Sequence, residues 1–345
     1  MSNKPTVIDL FCGCGGLSQG FIDVGFEVKL GVDNWQDALT TFENTHKGAK
    51  GINADLFEET PQSISNKAGI KDIDVIVGGP PCQGFSIAGK RVIDDERNKL
   101  YKSFVSFVEF YKPKAFVMEN VPNIISMGKG IVKDSILKDF EDIGYKVVYK
   151  VLMASDYGVP QNRKRAIFVG LKSNANFEFP SPTSSQQITS AEAISDLPEN
   201  SVDDGKSYLM KAQSTYQKQM RAKSKGIYNH EITNHKDKTI NIISLVPDGG
   251  NYKDLPKELQ GTRKVNIAWT RLNSKKPSFT IDTGHRHHFH YKYNRVPTVR
   301  ESARIQSFTD DFIFLGSKTS QYKQVGNAVP PLLAKVIAEK IKEYI

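Results

Sequence analysis

Cys82 closes the stretch GGPPC (78–82), where an apolar run stops at two glycines and two prolines. Pro80 and Pro81 lock φ near about −65° and remove two backbone donors, so the loop that carries the thiol is stiff. Stiff loops at strand ends are where α/β enzymes hold reactive groups. A thiol there can act as a nucleophile through its thiolate. An ordinary cysteine has a pKa of about 8.5, so local positive charge or backbone N–H groups must assist. A tight turn whose cysteine is merely buried is the competing reading at this point, because free cysteine is among the most buried residue types. Cys12 and Cys14, the other two cysteines, sit one residue apart. No further ligands follow at useful spacing, so no metal site is expected, and three cysteines make no disulfide framework.

A second constellation lies in DLFCGCGGLSQGF (9–21), which reads as a strand, a glycine-rich turn and a helix start. Such a turn lets a ligand approach bare backbone at a helix N-terminus. A dinucleotide fingerprint needs G-x-G-x-x-G, but counted from Gly13 the sixth position is Ser18. Gly13, Gly15 and Gly16 crowd together instead, which suits a smaller ligand without a pyrophosphate. Asp33, at the end of the second strand, is placed to accept hydrogen bonds from a ribose diol. Asp55, in NADLF (53–57), offers the same to an exocyclic amine after the third strand. Two carboxylates at successive strand ends point to a nucleoside-type cofactor.

These groups need a frame, and the first half of the chain supplies one. Residues 5–11, 26–32, 72–79, 114–120, 145–153 and 165–171 are short runs rich in Val, Ile and Phe, and they predict strands. Most are too continuously apolar for a half-exposed sheet. Helical patterns fall between them at 98–111 and 130–143. The alternation predicts an α/β, Rossmann-like, mainly parallel sheet with helices on both faces. It stops near residue 172, and NFEFPSPTSSQQ (176–187) reads as a boundary. Residues 188–294 are polar, basic and irregular. Near the end, 298–308 predicts a helix with Thr298 as N-cap and Glu301 at the capping-box position, and 330–345 an amphipathic closing helix.

Charge follows the same division. Of 47 Lys and Arg and 38 Asp and Glu, residues 201–300 hold 19 and 8, a net of +11, and the remainder holds 28 and 30, a net of −2. An excess confined to one stretch points to a polyanionic partner. No apolar run reaches a membrane-spanning length. The opening MSNKPTVIDLF has no charged-then-apolar leader, so a cytoplasmic protein without membrane association is expected.

DLFCGCGGLSQGF, GGPPCQGFS (78–86), ENV (119–121), QNRKR (161–165), RESARIQSF (300–308) and QVGNAVPP (324–331) resemble, in order, the blocks of the bacterial cytosine-5 DNA methyltransferases. The resemblance implies the S-adenosylmethionine-dependent methyltransferase fold plus a smaller irregular target-recognition domain. Residues 1–180 and 320–345 would form the catalytic, cofactor-binding domain, and 181–319 the target-recognition domain and hinge. It implies that Cys82 adds to C6 of a flipped-out cytosine and that Glu119 acts at N3. Without Cys82, a strand-end glutamate would read as an ion-pair partner. Arg163 and Arg165 match family arginines that face the cytosine O2 and flanking phosphates. S-adenosyl-L-methionine, with S-adenosyl-L-homocysteine as product, would be held by Phe11, Gly13, Gly15, Asp33, Asp55, Pro80 and Asn327. Many members have a large apolar or aromatic residue directly after the ribose-binding acid. Here Asn34 follows Asp33 and Trp35 comes next, and Trp35 is taken as a cofactor-binding residue. The implied partner is double-stranded DNA, met by a monomeric, nucleoid-associated enzyme paired with a restriction endonuclease.

DTGHRHHFHYKYNR (282–295) holds four of the seven histidines. On a strand His285 and His287 would face away from His288 and His290, so the segment predicts phosphate and base contacts and not a zinc site. Thr280 and Ile281 resemble a short Thr-plus-aliphatic element of the family's recognition domain. Three other readings compete. An RNA cytosine-5 methyltransferase has less use for a basic region of this length. A dinucleotide-dependent oxidoreductase needs the glycine that Ser18 replaces. A silent DNA-binding protein has no use for Cys82 and Glu119 together.

Overall fold

The computed structural model describes residues 4–81, 99–173, 175–183, 186–260, 269–283 and 288–345. Two compact units emerge. Unit 1 comprises Met1–Met153, Lys164–Thr183 and Pro331–Ile345, and unit 2 comprises Ala154–Arg163 and Ser184–Pro330.

Along unit 1 the elements are β1 (Thr6–Leu10), α1 (Gly16–Asp23), β2 (Glu27–Asp33), α2 (Gln36–Thr45), β3 (Lys50–Asn53), α3 (Pro61–Ala68) and β4 (Val75–Gly78). There follow α4 (Lys99–Tyr111), β5 (Ala115–Asn120), α5 (Asn123–Ser126), α6 (Ile131–Asp142) and β6 (Lys146–Met153). The chain then passes through β7 (Gln161–Asn162) of unit 2 and returns as β8 (Lys164–Leu171). One sheet results, ordered β3-β2-β1-β4-β5-β8-β6. The first five strands run parallel, and β8 lies antiparallel to both β5 and β6.

Continuous apolar strands are what a sheet covered on both faces requires. Ile8, Leu10, Ile76, Phe116 and Met118 join one apolar cluster with Phe104 and Phe107 of α4 and Phe140 of α6. The alternate residues Val7, Val75, Val77 and Val117, on the opposite face, are also fully buried. α1 packs on the closing helix α13 (Pro331–Lys342), where a Cβ on Gly20 would come within 2.4 Å of Ala334 Cβ.

Unit 2 holds α7 (Ser190–Ile194), α8 (Thr215–Arg221), α9 (Asp237–Ser244), α10 (Lys257–Gln260), β9 (Thr270–Arg271), β10 (Ser278–Phe279), β11 (His288–Phe289), α11 (Val299–Ile305) and α12 (Lys318–Asn327). Among the described residues its strands are two residues long and pair as β10–β7 and β11–β9. With so little ladder, buried carbonyls need side-chain donors. Arg271 supplies several: its guanidinium donates to the carbonyls of Val246 (2.6 Å), His290 (3.0 Å) and Ile243 (2.5 Å).

Candidate active site

Glu119 is the penultimate residue of β5, and Arg165 follows Lys164 at the start of β8. Because the two strands are antiparallel neighbours, the end of one meets the beginning of the other. Arg165 Nε lies 2.6 Å from Glu119 Oε1, and the two side chains are 14 % and 13 % exposed. The second carboxylate oxygen faces the loop after β4: a Cβ built on Gly79 would stand 3.1 Å from Glu119 Oε2. Asn120 fastens the same loop. Its Nδ2 donates to the Pro80 carbonyl at 2.8 Å, while its Oδ1 accepts from the Val121 N–H at 2.8 Å. The acid and the prolines that lead to Cys82 are therefore gathered at adjacent strand ends. Cys82 itself lies outside the described residues. The Asn120 tie was not singled out from the sequence; its signal was the residue next to Glu119 in ENV.

The glycine loop lies at the ends of β1 and β2. Phe11 has φ +59°, a left-handed conformation that costs a bulky residue about 1–2 kcal/mol. Gly13 and Gly15 follow at +52° and +91°. Asp33 clamps this turn, one oxygen accepting from the Gly13 N–H (2.8 Å) and the other from the Trp35 N–H (2.9 Å). Trp35 is half-buried and N-caps α2, and Asn34 beside it is exposed. Gly15 is dictated from behind, since a Cβ there would meet His46 Cε1 at 2.2 Å. Gly13 faces the other way, with nothing among the described residues within 4 Å of its Cβ position. That open backbone beside a carboxylate fits a ribose-bearing ligand. Asp55 is exposed, and its Oδ1 accepts from the Phe57 N–H at 2.9 Å. Asn327 ends α12, exposed, and belongs to unit 2.

Burial decides the protonation of several groups here. Cys12 and Cys14 are buried, which pushes both thiols up, Cys14 to about 12. Burial also raises Asp9 to about 7, although Ser18 Oγ donates to its Oδ2 at 2.6 Å. His46 is lowered to about 4 by burial. Among the described residues no cluster of His, Cys, Asp and Glu is arranged to hold a metal ion.

Comparison with known proteins gives the family. The sequence signature of the C-5 cytosine-specific DNA methylases matches residues 5–343. The chain belongs to that family. This methylase is 40% identical over 339 residues to the Type II methyltransferase M1.HphI of Haemophilus parahaemolyticus, covering 97% of this chain and 86% of the relative. It is 38% identical over 369 residues to M.DdeI of Desulfomicrobium norvegicum, covering 98% and 88%. A solved protein encoded within an E. coli prophage, named a putative DNA modification methyltransferase, shares 27% identity and a TM-score of 0.81, with 99% of each chain covered. The protein is thus a DNA (cytosine-5) methyltransferase.

Within unit 2 of the methylase, the other predicted residues take up structural positions. Arg163 is 2 % exposed, and its terminal nitrogens donate to the carbonyls of Ile281 (3.2 Å) and Gly326 (2.9 Å). The RESARIQSF block is buried almost throughout. Its predicted capping box is present, with Thr298 and Glu301 bonding reciprocally. Glu301 is also gripped by Arg295 at 2.7 and 2.8 Å; although burial alone would raise it, this arginine and the nearby histidines hold its carboxyl well below the usual range. His285 and His287 lie outside the described residues. His288 is half-buried, 3.6 Å from Asp282. His290 is fully buried, stacks with Tyr291 and Tyr293, and is lowered to about 4 chiefly by burial. That ring packs the segment instead of facing a partner. No helix among the described residues is long and apolar enough to cross a membrane.

Proposed function

We propose that Cys82 is the nucleophile of this methyltransferase and that Glu119 is the acid that works with it on one cytosine. C5 of cytosine is a poor nucleophile while the ring stays conjugated. Addition of the Cys82 thiolate to C6 breaks that conjugation and moves electron density onto C5. A proton or hydrogen bond from Glu119 at N3 draws charge from the ring and makes C6 easier to attack. Arg165 holds the Glu119 carboxyl group in position and faces the cytosine O2. Once C5 carries the methyl group, its proton leaves to solvent, the C6–S bond breaks with Cys82 departing as thiolate, and any proton at N3 returns to Glu119, which restores the ring. For both side chains to reach it, the base must leave the duplex stack. The observation that carries this reading is the Glu119–Arg165 pair set against Gly79, with Pro80 tied to Asn120 two residues before Cys82.

S-adenosylmethionine, when bound, supplies a methyl group on a sulfonium. Phe11, Gly13, Gly15, Asp33, Trp35, Asp55, Pro80 and Asn327 would hold it. The open backbone at Gly13 beside the Asp33 carboxylate supports that assignment. Residues 1–180 and 320–345 would carry the chemistry and 181–319 the reading of DNA, where the +11 excess within 201–300 neutralises phosphates. The type II methyltransferase names of M1.HphI and M.DdeI support a modification enzyme paired with a restriction endonuclease, and a monomeric enzyme is part of the same proposal.

Bisulfite sequencing of DNA from a host expressing the chain tests this reading. One short sequence should be methylated by the wild type and left unmethylated by Cys82→Ser. Normal methylation by the serine variant would refute the covalent mechanism.

A further inference from the structure

In QNRKR (161–165) the side chains of Gln161 and Arg163 are buried, while Asn162 and Lys164 between them are exposed, the alternation of an extended strand. The buried pair grips the main chain of residues 278–282. Gln161 Oε1 accepts from the Ile281 N–H at 3.1 Å, and Arg163 Nη1 donates to the Ile281 carbonyl at 3.2 Å. Arg163 Nη2 reaches the Gly326 carbonyl at 2.9 Å, and a Cβ on Gly326 would come within 2.2 Å of the Asp282 carbonyl oxygen. The backbone adds the β10–β7 pairing and a bond from the Ser278 N–H to the Pro160 carbonyl at 2.9 Å. Thr280 hangs on the same edge, its hydroxyl donating to the Asn162 carbonyl at 3.0 Å.

A stretch with two residues of ladder has a weakly specified register. Here the register is set by side chains. A guanidinium is a rigid planar fork whose two terminal nitrogens meet two separated carbonyls in fixed directions, whereas an ammonium donates from a single compact point on a flexible stem. Residues 279, 280 and 282 keep side chains at or near the surface, so a shift of their backbone would move every group they present.

We infer that Arg163, with Gln161, is a positioning residue for sequence discrimination: it fixes the backbone of 278–282 from which unit 2 reads DNA. This inference rests on the proposed function and gives Arg163 a duty different from contact with the cytosine. Discrimination is the selective readout. Both substrates meet the same folded population, so a variant that merely folds poorly scales the two rates equally, whereas a displaced reading edge changes their ratio.

The test uses the full chain and duplexes carrying the sequence that the wild type methylates, beside single-base substitutions at positions other than the target cytosine. The ratio of kcat/KM between the intact and substituted duplexes is measured for wild type, Arg163→Lys and Gln161→Asn. Arg163→Lys should lower that ratio roughly tenfold, the factor that matches loss of one charge-assisted hydrogen bond. Gln161→Asn, too short to reach the Ile281 N–H, should lower it in the same direction, and it decides alone if the lysine variant does not fold. Ratios within twofold of wild type would overturn the inference while leaving the methyltransferase reading intact. A wild-type chain that methylated no cytosine in DNA would overturn that reading and the inference with it.

Discussion

Arg165 Nε stands 2.6 Å from Glu119 Oε1 at the junction of β8 and β5. An acid aimed by a neighbouring guanidinium has a fixed direction, so its proton or hydrogen bond arrives at one ring position. Glu119→Gln keeps the shape and an acceptor for Arg165 but removes the acid. Methyl transfer should fall about 10²- to 10⁴-fold, the usual worth of a positioned acid or base. Single-turnover rates on a duplex substrate check it. A rate within threefold of wild type would remove Glu119 from the chemistry.

Gly13 and Gly15 separate ligand room from packing. Gly15→Ala drives a Cβ to 2.2 Å from His46 at φ +91°, so overpacking adds to left-handed strain and should cost about 2–5 kcal/mol of stability. Gly13→Ala pays only the left-handed strain, about 1–2 kcal/mol, because its Cβ enters open space. If that space belongs to S-adenosylmethionine, Gly13→Ala should weaken cofactor binding at least tenfold by calorimetric titration in a folded protein. Unchanged binding would move the cofactor away from Gly13.

Buried titratable groups give two opposed pH trends. His46, lowered to about 4, stays neutral in the fold while the unfolded chain takes up a proton below about pH 6.5. Its contribution is fully present above pH 6.5 and lost as pH falls towards 4. Asp9, raised to about 7, keeps its proton in the fold, so its contribution is present at low pH and lost as pH rises from about 4 to about 7. The Tm difference between wild type and His46→Asn should grow with pH across 4 to 6.5. The difference from Asp9→Asn should shrink with pH over 4 to 7. Scanning calorimetry at half-unit steps reads both, and parallel curves for all three proteins would contradict the assignment.

Arg304 sits without exposure between two carboxylates, 2.5 Å from Asp196 and 2.6 Å from Asp310. Arg304→Met leaves buried negative charge with fewer partners and should cost about 3–5 kcal/mol. Denaturant titration measures this, and a loss under 1 kcal/mol would show that the pairs contribute little.

That charged core also marks where sequence reading stopped. The strands of unit 1 were legible because continuous β-rich runs such as VIVG and AFVM, alternating with helical patterns, suit a sheet covered on both faces. Glu119 was legible as a strand-end residue, where β5 places it, and Cys82 lies outside the described residues. RESARIQSF was legible as a capped helix but not as a buried one. Its arginines answer to partners far off in sequence, Arg304 to Asp196 over 108 positions. His290 shows the same limit. Among basic and aromatic neighbours it reads as a surface group, yet Tyr291 and Tyr293 enclose it. Arg163 and Arg165 are alike in sequence and differ only in which backbone or carboxylate lies opposite.

The covalent role of Cys82 is tested most directly by trapping. A duplex with 5-fluorocytosine at the target position is incubated with the enzyme and S-adenosylmethionine, denatured, digested and analysed by mass spectrometry. Fluorine at C5 cannot leave as a cation, so elimination stalls after methylation. The account predicts a cofactor-dependent adduct on the peptide containing Cys82, absent from Cys82→Ser. Ordinary cytosine methylated at the same site, with no adduct or with one on a different residue, would contradict it.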